Sequence, residues 1–321
     1  MPNRDTKFNP ELMRKKFQID SKVVFLNHGS FGACPREVFE NYQRWQCELE
    51  RQPVEFIARK SMHLMLQARK DLACFLNVDH PNIVFVPNAT HGLNTVIKSI
   101  PLNPGDEILS TDHEYGAIER AWDYVCKKTG ARFIRQKINL PLIASDDLVE
   151  KIWQGVTAKT RVLFLSHISA HTAMIFPIAE LIKRARSLGI ITIIDGAHAS
   201  GQLDLDLSAL DVDYYCGNCH KWMLAPKGAA FLYARPEMQD TIIPLAISWG
   251  DENKVSGASR FVDELEYQGT IDIASYLSVS SAIEFCANNN WPEQQKVCHQ
   301  RLSAMRNEVS RITNMELMYP D

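Results

Sequence analysis

No stretch of this chain approaches the roughly 20 consecutive apolar residues that a membrane-spanning helix requires. The amino terminus, MPNRDTKFNPELMRKKF, also lacks the apolar core of a secretory signal. Charge of one sign is missing as well: 35 basic against 38 acidic side chains leave a net charge of −3, and no Lys/Arg block stands out. That excludes the electrostatic footprint of a nucleic-acid binder. Eight cysteines are scattered through 321 residues, a chain too long to need a disulfide framework. Cys216 and Cys219 form one CxxC, but no second pair at metal-ligand spacing accompanies it, so no metal site is expected. There is no internal repeat and no low-complexity linker. These absences read as a cytoplasmic protein with neither a membrane nor a nucleic acid as partner.

What is present is the composition of a globular enzyme-sized chain, 45% hydrophobic and 23% charged, sufficient for one large domain and a smaller part. Strand patterns at Asn82 to Val86, through Ile108 and Leu109, at Arg132 to Ile138, Arg161 to Ser166, Ile190 to Ile194 and in FLYA alternate with helical ones. The helical stretches include Pro35 to Arg51, 55–77, one opening at Asn88, Asp146 to Trp153, Ile178 to Ser187, Ile273 to Asn289 and Pro292 to Ile312. Such alternation predicts an α/β fold, a mostly parallel sheet with helices on both faces. Ahead of them, VVFLNHGSFG predicts a short strand and a turn in which Gly29 and Gly32 let backbone approach a ligand.

The most informative stretch runs from Gly189 to Gly228. A β-branched run ends in Asp195, and 26 residues later comes Lys221, flanked by His220 and Trp222. A short apolar run bounded by glycines reads as a buried parallel strand, which puts Asp195 at the carboxyl edge where open α/β sheets bind ligands. A carboxylate there, with a lysine at a later strand end, suits pyridoxal phosphate: the amine forms an imine with the aldehyde and the acid pairs with the pyridinium nitrogen. An ordinary strand-end aspartate and a surface lysine would have the same spacing. The helix start at Asn88 to Gly92 presents unpaired N–H groups to an anion, although Asn88-Ala-Thr90 is also a plain N-cap and a glycosylation pattern.

DGAHASGQ, DVDYYCGNCHKWMLAPKGAAFLY, LNHGSFGACPREV and EYQGTIDIASYLSVSSAIEF together resemble the class V, cysteine-desulfurase-like pyridoxal phosphate enzymes, within them the isopenicillin N epimerase-like branch. The resemblance covers the chain from Phe25 onward. It implies an aspartate-aminotransferase-like large domain of fold type I over 23–284, preceded by an arm or small-domain segment over 1–22. Residues 285–321 would begin a small α+β domain that looks incomplete at its C-terminus.

The resemblance also assigns roles. Lys221 and Asp195 would be catalytic, with His198 on the cofactor's phenolic oxygen and Ala89, Thr90, His91, Asn218 and His220 on the phosphate side. Tyr115 would stack on the ring, with His113 as the fallback. Thr270 would reach the phosphate of a neighbouring subunit, which predicts a homodimer with shared sites. Asn27, His28, Ser30, Ser169 and Trp249 would face a small-molecule amino-acid or peptide substrate. Relatives carry glycine where this chain has Ala173, and serine where it has Asn218. They also use an arginine of the small domain for the substrate carboxylate, for which Arg36 and Arg260 are the stand-ins here. Lys221 would deprotonate Cα, and Tyr115, His28 and His171 are the candidates for the second acid of an epimerisation. Elimination of a thiol, as in a cysteine desulfhydrase or C–S lyase, and transamination share the early steps. Cys34 invites a persulfide-carrying variant. A non-catalytic or fragmentary relative acting as a binding protein is the reading from another class.

Overall fold

The computed structural model describes residues 9–142, 147–252 and 259–319. Residues 1–8 of the expected arm, and Asp146 of the expected helix start, lie outside the described residues. Seven strands form one sheet: β1 (Ile83–Val86), β2 (Glu107–Thr111), β3 (Arg132–Gln136), β4 (Thr160–Ser166), β5 (Ile191–Asp195), β6 (Tyr214–Asn218) and β7 (Ala230–Ala234). Their order is β1-β7-β6-β5-β4-β2-β3. Every pairing from β6 through β3 is parallel, and β7 runs antiparallel to both β6 and β1.

These strands are near-continuous apolar runs because both faces are covered. Side chains alternate across a strand, and both parities find a core. Leu163, Leu165, Ile194, Tyr215 and Phe231 pack on one side, where the Ser61–Phe75, Ile178–Ser187 and Val279–Asn288 helices supply Leu72, Leu181 and Phe285. Val162, Phe164, Ile193, Tyr214 and Leu232 pack on the other, under Leu93 and Val96 of the Ala89–Ser99 helix and Trp122 of the Gly116–Thr129 helix. Cys216 and Cys219 are fully buried in these two different cores, which is why the CxxC spacing brings no pairing of its thiols.

The expected strand at VVFL does not form. Val24 and Leu26 are 79% and 86% exposed, and the segment has no ladder partner, so its apolar pattern has no sheet to join. A short helical turn, His28–Phe31, follows, with Asn27 as its cap. The Trp291–Thr313 helix buries none of its residues, leaving Leu302, Met305 and Ile312 exposed. Among the described residues no helix is long and apolar enough to cross a membrane, and no cluster of His, Cys, Asp or Glu is placed to hold a metal ion.

Candidate active site

The carboxyl ends of β4, β5 and β6 bring Ser166, Asp195 and Asn218 to one edge, with Ser166 in register opposite Asp195. Above them lies a cavity of about 370 Å³ that also takes in Lys221, His198 and Tyr115. A larger cavity of about 550 Å³ lies against the Trp291–Thr313 helix, but it is lined by neither a lysine nor a carboxylate.

The turn after β6 carries the amine. Lys221 Nζ stands 3.0 Å from His198 Nε2, while the Trp222 indole N–H donates to His198 Nδ1 at 3.4 Å. Burial, reinforced by the Lys221 charge, lowers the His198 pKa to about 4, so the ring is neutral near pH 7. An indole only donates, so Nδ1 is the acceptor and the ring's one hydrogen sits on Nε2. The hydrogen-bond network thereby assigns Nε2–H as a donor to Lys221, which needs a lone pair to accept it. Burial acts in the same sense, lowering the Lys221 pKa against the opposing pull of Asp195.

Asp195 is 5% exposed, and its Oδ1 accepts the Ala197 N–H at 2.9 Å. Burial raises its pKa, and the Ala197 N–H and Lys221 lower it. A buried carboxylate at a cavity floor favours a cationic partner. At the other end, Asn218 Oδ1 accepts the Ala89 N–H at 2.8 Å and Asn88 Oδ1 accepts that of His91 at 2.9 Å. Among the described residues the Thr90 N–H has no partner, and Lys227, which also lines the cavity, has no ion pair. This is an end suited to an anion. His220 lines it too, its Nδ1–H donating to the Ala229 carbonyl at 3.1 Å.

The glycines of the first turn are steric requirements. A Cβ on Gly29 would stand 3.1 Å from the Trp222 ring, and one on Gly32, where φ is +72°, would stand 2.0 Å from the His220 carbonyl oxygen. His28 itself donates from Nε2 to the Lys221 carbonyl at 2.9 Å, so it holds the lysine-bearing turn and does not line the cavity.

Of the residues expected at the site, Lys221, Asp195, His198, Ala89, Thr90, Tyr115, Asn218, His220 and Ser30 line this one cavity. His91 does not; its ring meets Gln268. Asn27 caps the His28–Phe31 turn. Ser169 is turned away, donating to the His113 carbonyl at 3.0 Å, because the backbone after β4 aims Ile168 and Ala170 at the cavity instead. Trp249 is 67% exposed, and Thr270 lies in a separate surface depression with Ile57 and Ile271. The His113 ring is bonded to the Ile138 carbonyl at 2.9 Å, leaving Tyr115 as the aromatic wall. Neither Arg36, bonded to the Lys15 carbonyl, nor Arg260, paired with Glu264, lines the cavity. His171 is exposed and also outside it. Burial pushes the Cys34 thiol up to about 12, which keeps it protonated.

Ser166, Phe31 and Lys227 line the cavity without having been singled out in the sequence, and Glu114 lies buried beside it. The proline and glycine around Lys227 were the available signal, since a lysine fixed in a tight turn after the site lysine is poorly placed for a purely solvent role. Ser166 and Glu114 carried no such signal.

The family model described as aminotransferase class-V matches residues 34–321. The isopenicillin N epimerase of Streptomyces clavuligerus is 35% identical over 289 residues, 86% of this chain and 72% of the relative. That of Amycolatopsis lactamdurans is 33% identical over 317 residues, 95% of this chain and 77% of the relative. Among solved structures, a variant of C-DES with glycine covalently linked to its pyridoxal phosphate cofactor superimposes with a TM-score of 0.81 at 25% identity, covering 90% of this chain and 77% of that one. The same protein, described as a cystine C–S lyase, in complex with cysteine persulfide gives a TM-score of 0.75 at 26% identity, covering 82% and 72%.

Proposed function

The chain belongs to the aminotransferase class-V family and its cofactor is pyridoxal 5′-phosphate; from that premise we propose that it removes the α-proton of an amino acid or of a peptide's amino-bearing carbon, most like isopenicillin N epimerase. The residues fit the cofactor, because an amine facing a hydrogen-bond donor, a buried carboxylate and an anion-accepting helix end share one cavity. When bound, it supplies an aldehyde for the amine and an electron-withdrawing ring that spreads the charge left at Cα.

Lys221 is the amine and then the base, roles that both need its lone pair at working pH. His198, its tautomer held by Trp222, orients that lone pair and is placed for the phenolic oxygen. Asp195 is the residue for a protonated ring nitrogen, and the Thr90 N–H with Lys227 and His220 for the phosphate. Tyr115, which lines the cavity, would stack on the cofactor ring. Of the three candidates for a second acid, Tyr115 alone lines the cavity.

The observation that carries this reading is the 3.0 Å contact between Lys221 Nζ and His198 Nε2 in a cavity floored by Asp195. Its test is the visible spectrum of the chain with pyridoxal phosphate before and after borohydride, beside Lys221→Ala. The expected result is a band that reduction removes, the label recovered on the Lys221 peptide, and solvent deuterium entering Cα of a substrate. If wild type and variant behave alike, the reading falls and a binding role without catalysis takes its place.

A second reading, C–S bond cleavage, is favoured by the likeness to C-DES. Release of sulfide from cysteine, or of cysteine persulfide from cystine, without racemised product, would select it. We further propose a homodimer with shared sites. Thr270 lies outside its own chain's cavity, while Phe31, which lines it, is 73% exposed. Mixing Lys221→Ala with Thr270→Val chains restores activity if sites are shared and leaves none if they are not.

A further inference from the structure

Glu114 is a carboxyl group, 2% exposed, that the chemistry above does not use. Thr111 Oγ1 donates to its Oε1 at 2.8 Å. Ser166 donates to its Oε2 twice, from the backbone N–H at 2.8 Å and from the hydroxyl at 2.6 Å. Thr111 ends β2 and Ser166 ends β4, so one side chain ties two neighbouring strands at the edge that carries the cavity. Ser166 lines that cavity opposite Asp195, and Tyr115, its aromatic wall, is the next residue in the chain.

Three hydrogen bonds converge on its two oxygens, and a carboxyl group can make all three in either protonation state, because a hydroxyl partner accepts as well as donates. Packing alone would be served by an apolar residue of similar size, which would avoid burying a charge. We propose that Glu114 is a positioning residue of the cofactor cavity: its buried carboxyl group locks the ends of β2 and β4 and so holds Ser166 and the Tyr115 wall in place. The proposal rests on the cofactor reading for what is held, whereas the lock itself is made by the chain alone.

Burial lifts the Glu114 pKa to about 7; the Ser166 and Thr111 bonds pull it down, and the Asp195 carboxyl adds to the rise. The groups facing it are thus Thr111 from β2, Ser166 from β4 and the acidic Asp195 from β5, with no cation among its partners. The locked arrangement therefore favours protonated Glu114, and the lock loosens as pH rises through neutrality and the buried carboxyl ionises.

Glu114→Gln keeps the volume and the hydrogen bonds open to the neutral acid, but cannot ionise. Two readouts are taken at pH 6 and pH 8: exchange protection of the Ser166 amide in the cofactor-free chain, corrected for intrinsic rates, and affinity for pyridoxal phosphate. Wild type should lose about tenfold in both between pH 6 and pH 8, the loss expected when a buried carboxyl whose pKa folding raises to about 7 ionises. Glu114→Gln should stay near the wild-type pH 6 level throughout, with no pH step. Ser166→Ala, which leaves Glu114 and removes its hydroxyl donor, should reduce the step in affinity and decides the matter if the glutamine variant does not fold. Equal Ser166 protection in wild type and Glu114→Gln at pH 8 overturns the proposal, as does an affinity step that survives the substitution. A lock that depends on Glu114 in a chain that binds no cofactor would uphold the proposal and sink the cofactor reading instead.

Discussion

At the floor of the cavity Asp195 is 5% and Ser166 2% exposed, whereas Phe31, at its mouth, is 73% exposed. The floor is assembled from strand ends, so the position of each side chain follows from a hydrogen-bonded ladder whose register admits no slippage without exposing a core face. The mouth is a segment without ladder or core, held to the floor through His28 on the Lys221 carbonyl and through two glycines packed on the lysine turn. The contrast teaches where precision is built and where a surface is left open: the proposed chemistry falls on the rigid edge, and the exposed mouth is the part that the proposed partner copy would cover.

The comparison breaks most visibly at the floor. Asp195→Asn keeps the shape and removes the charge, and it should lower turnover by about 10²–10³-fold with folding preserved, measured as kcat beside the melting temperature. Gly32→Ala tests the seam between the two regions. A Cβ there meets the His220 carbonyl oxygen at 2.0 Å in a backbone with φ +72°, so a loss of about 2–4 kcal/mol in denaturant unfolding is expected.

A third test uses the sign of a buried charge. The Glu114 pKa is raised by folding to about 7. Its contribution to stability is therefore fully present below the ordinary carboxyl value of about 4.3, and is lost as pH rises to about 7, on the order of 3 kcal/mol in all. Other groups titrate in the same window, His198 in the opposite direction, so the quantity to measure is wild type minus Glu114→Gln. A flat difference between pH 5 and pH 8 would remove the buried charge from the account. The smallest effect belongs to Ala173, in the turn after β4. Ala173 has φ +58°, a conformation that favours glycine, and Ala173→Gly should stabilise the chain by about 1 kcal/mol or less, the strain relieved being offset by glycine's entropy.

Much of the floor was legible before any coordinates. GIITIID places Asp195 at a strand end through its own periodicity, and Asn88 announces a helix start through its capping chemistry, which the structure shows as a bond to the His91 N–H. The mouth was misread for a physical reason: VVFL has the composition of a strand, but β propensity is realised only beside another strand, and none runs there. Ser169, expected on the substrate side, faces the His113 carbonyl while Ser166 lines the cavity, because a serine's facing depends on the backbone path at the end of β4.

The sequence by itself determined the parallel sheet, the two buried cores and the pairing of a strand-end carboxylate with a later lysine, because these depend on short-range periodicity and on chemistry carried by single residues. Only the tertiary structure decided that Trp222 sets the His198 tautomer, that His28 grips the backbone of a residue 193 positions away, and that Glu114 ties β2 to β4. Those are long-range hydrogen bonds, whose partners are chosen by where the folded sheet brings strand ends together and leave no period in the chain to read.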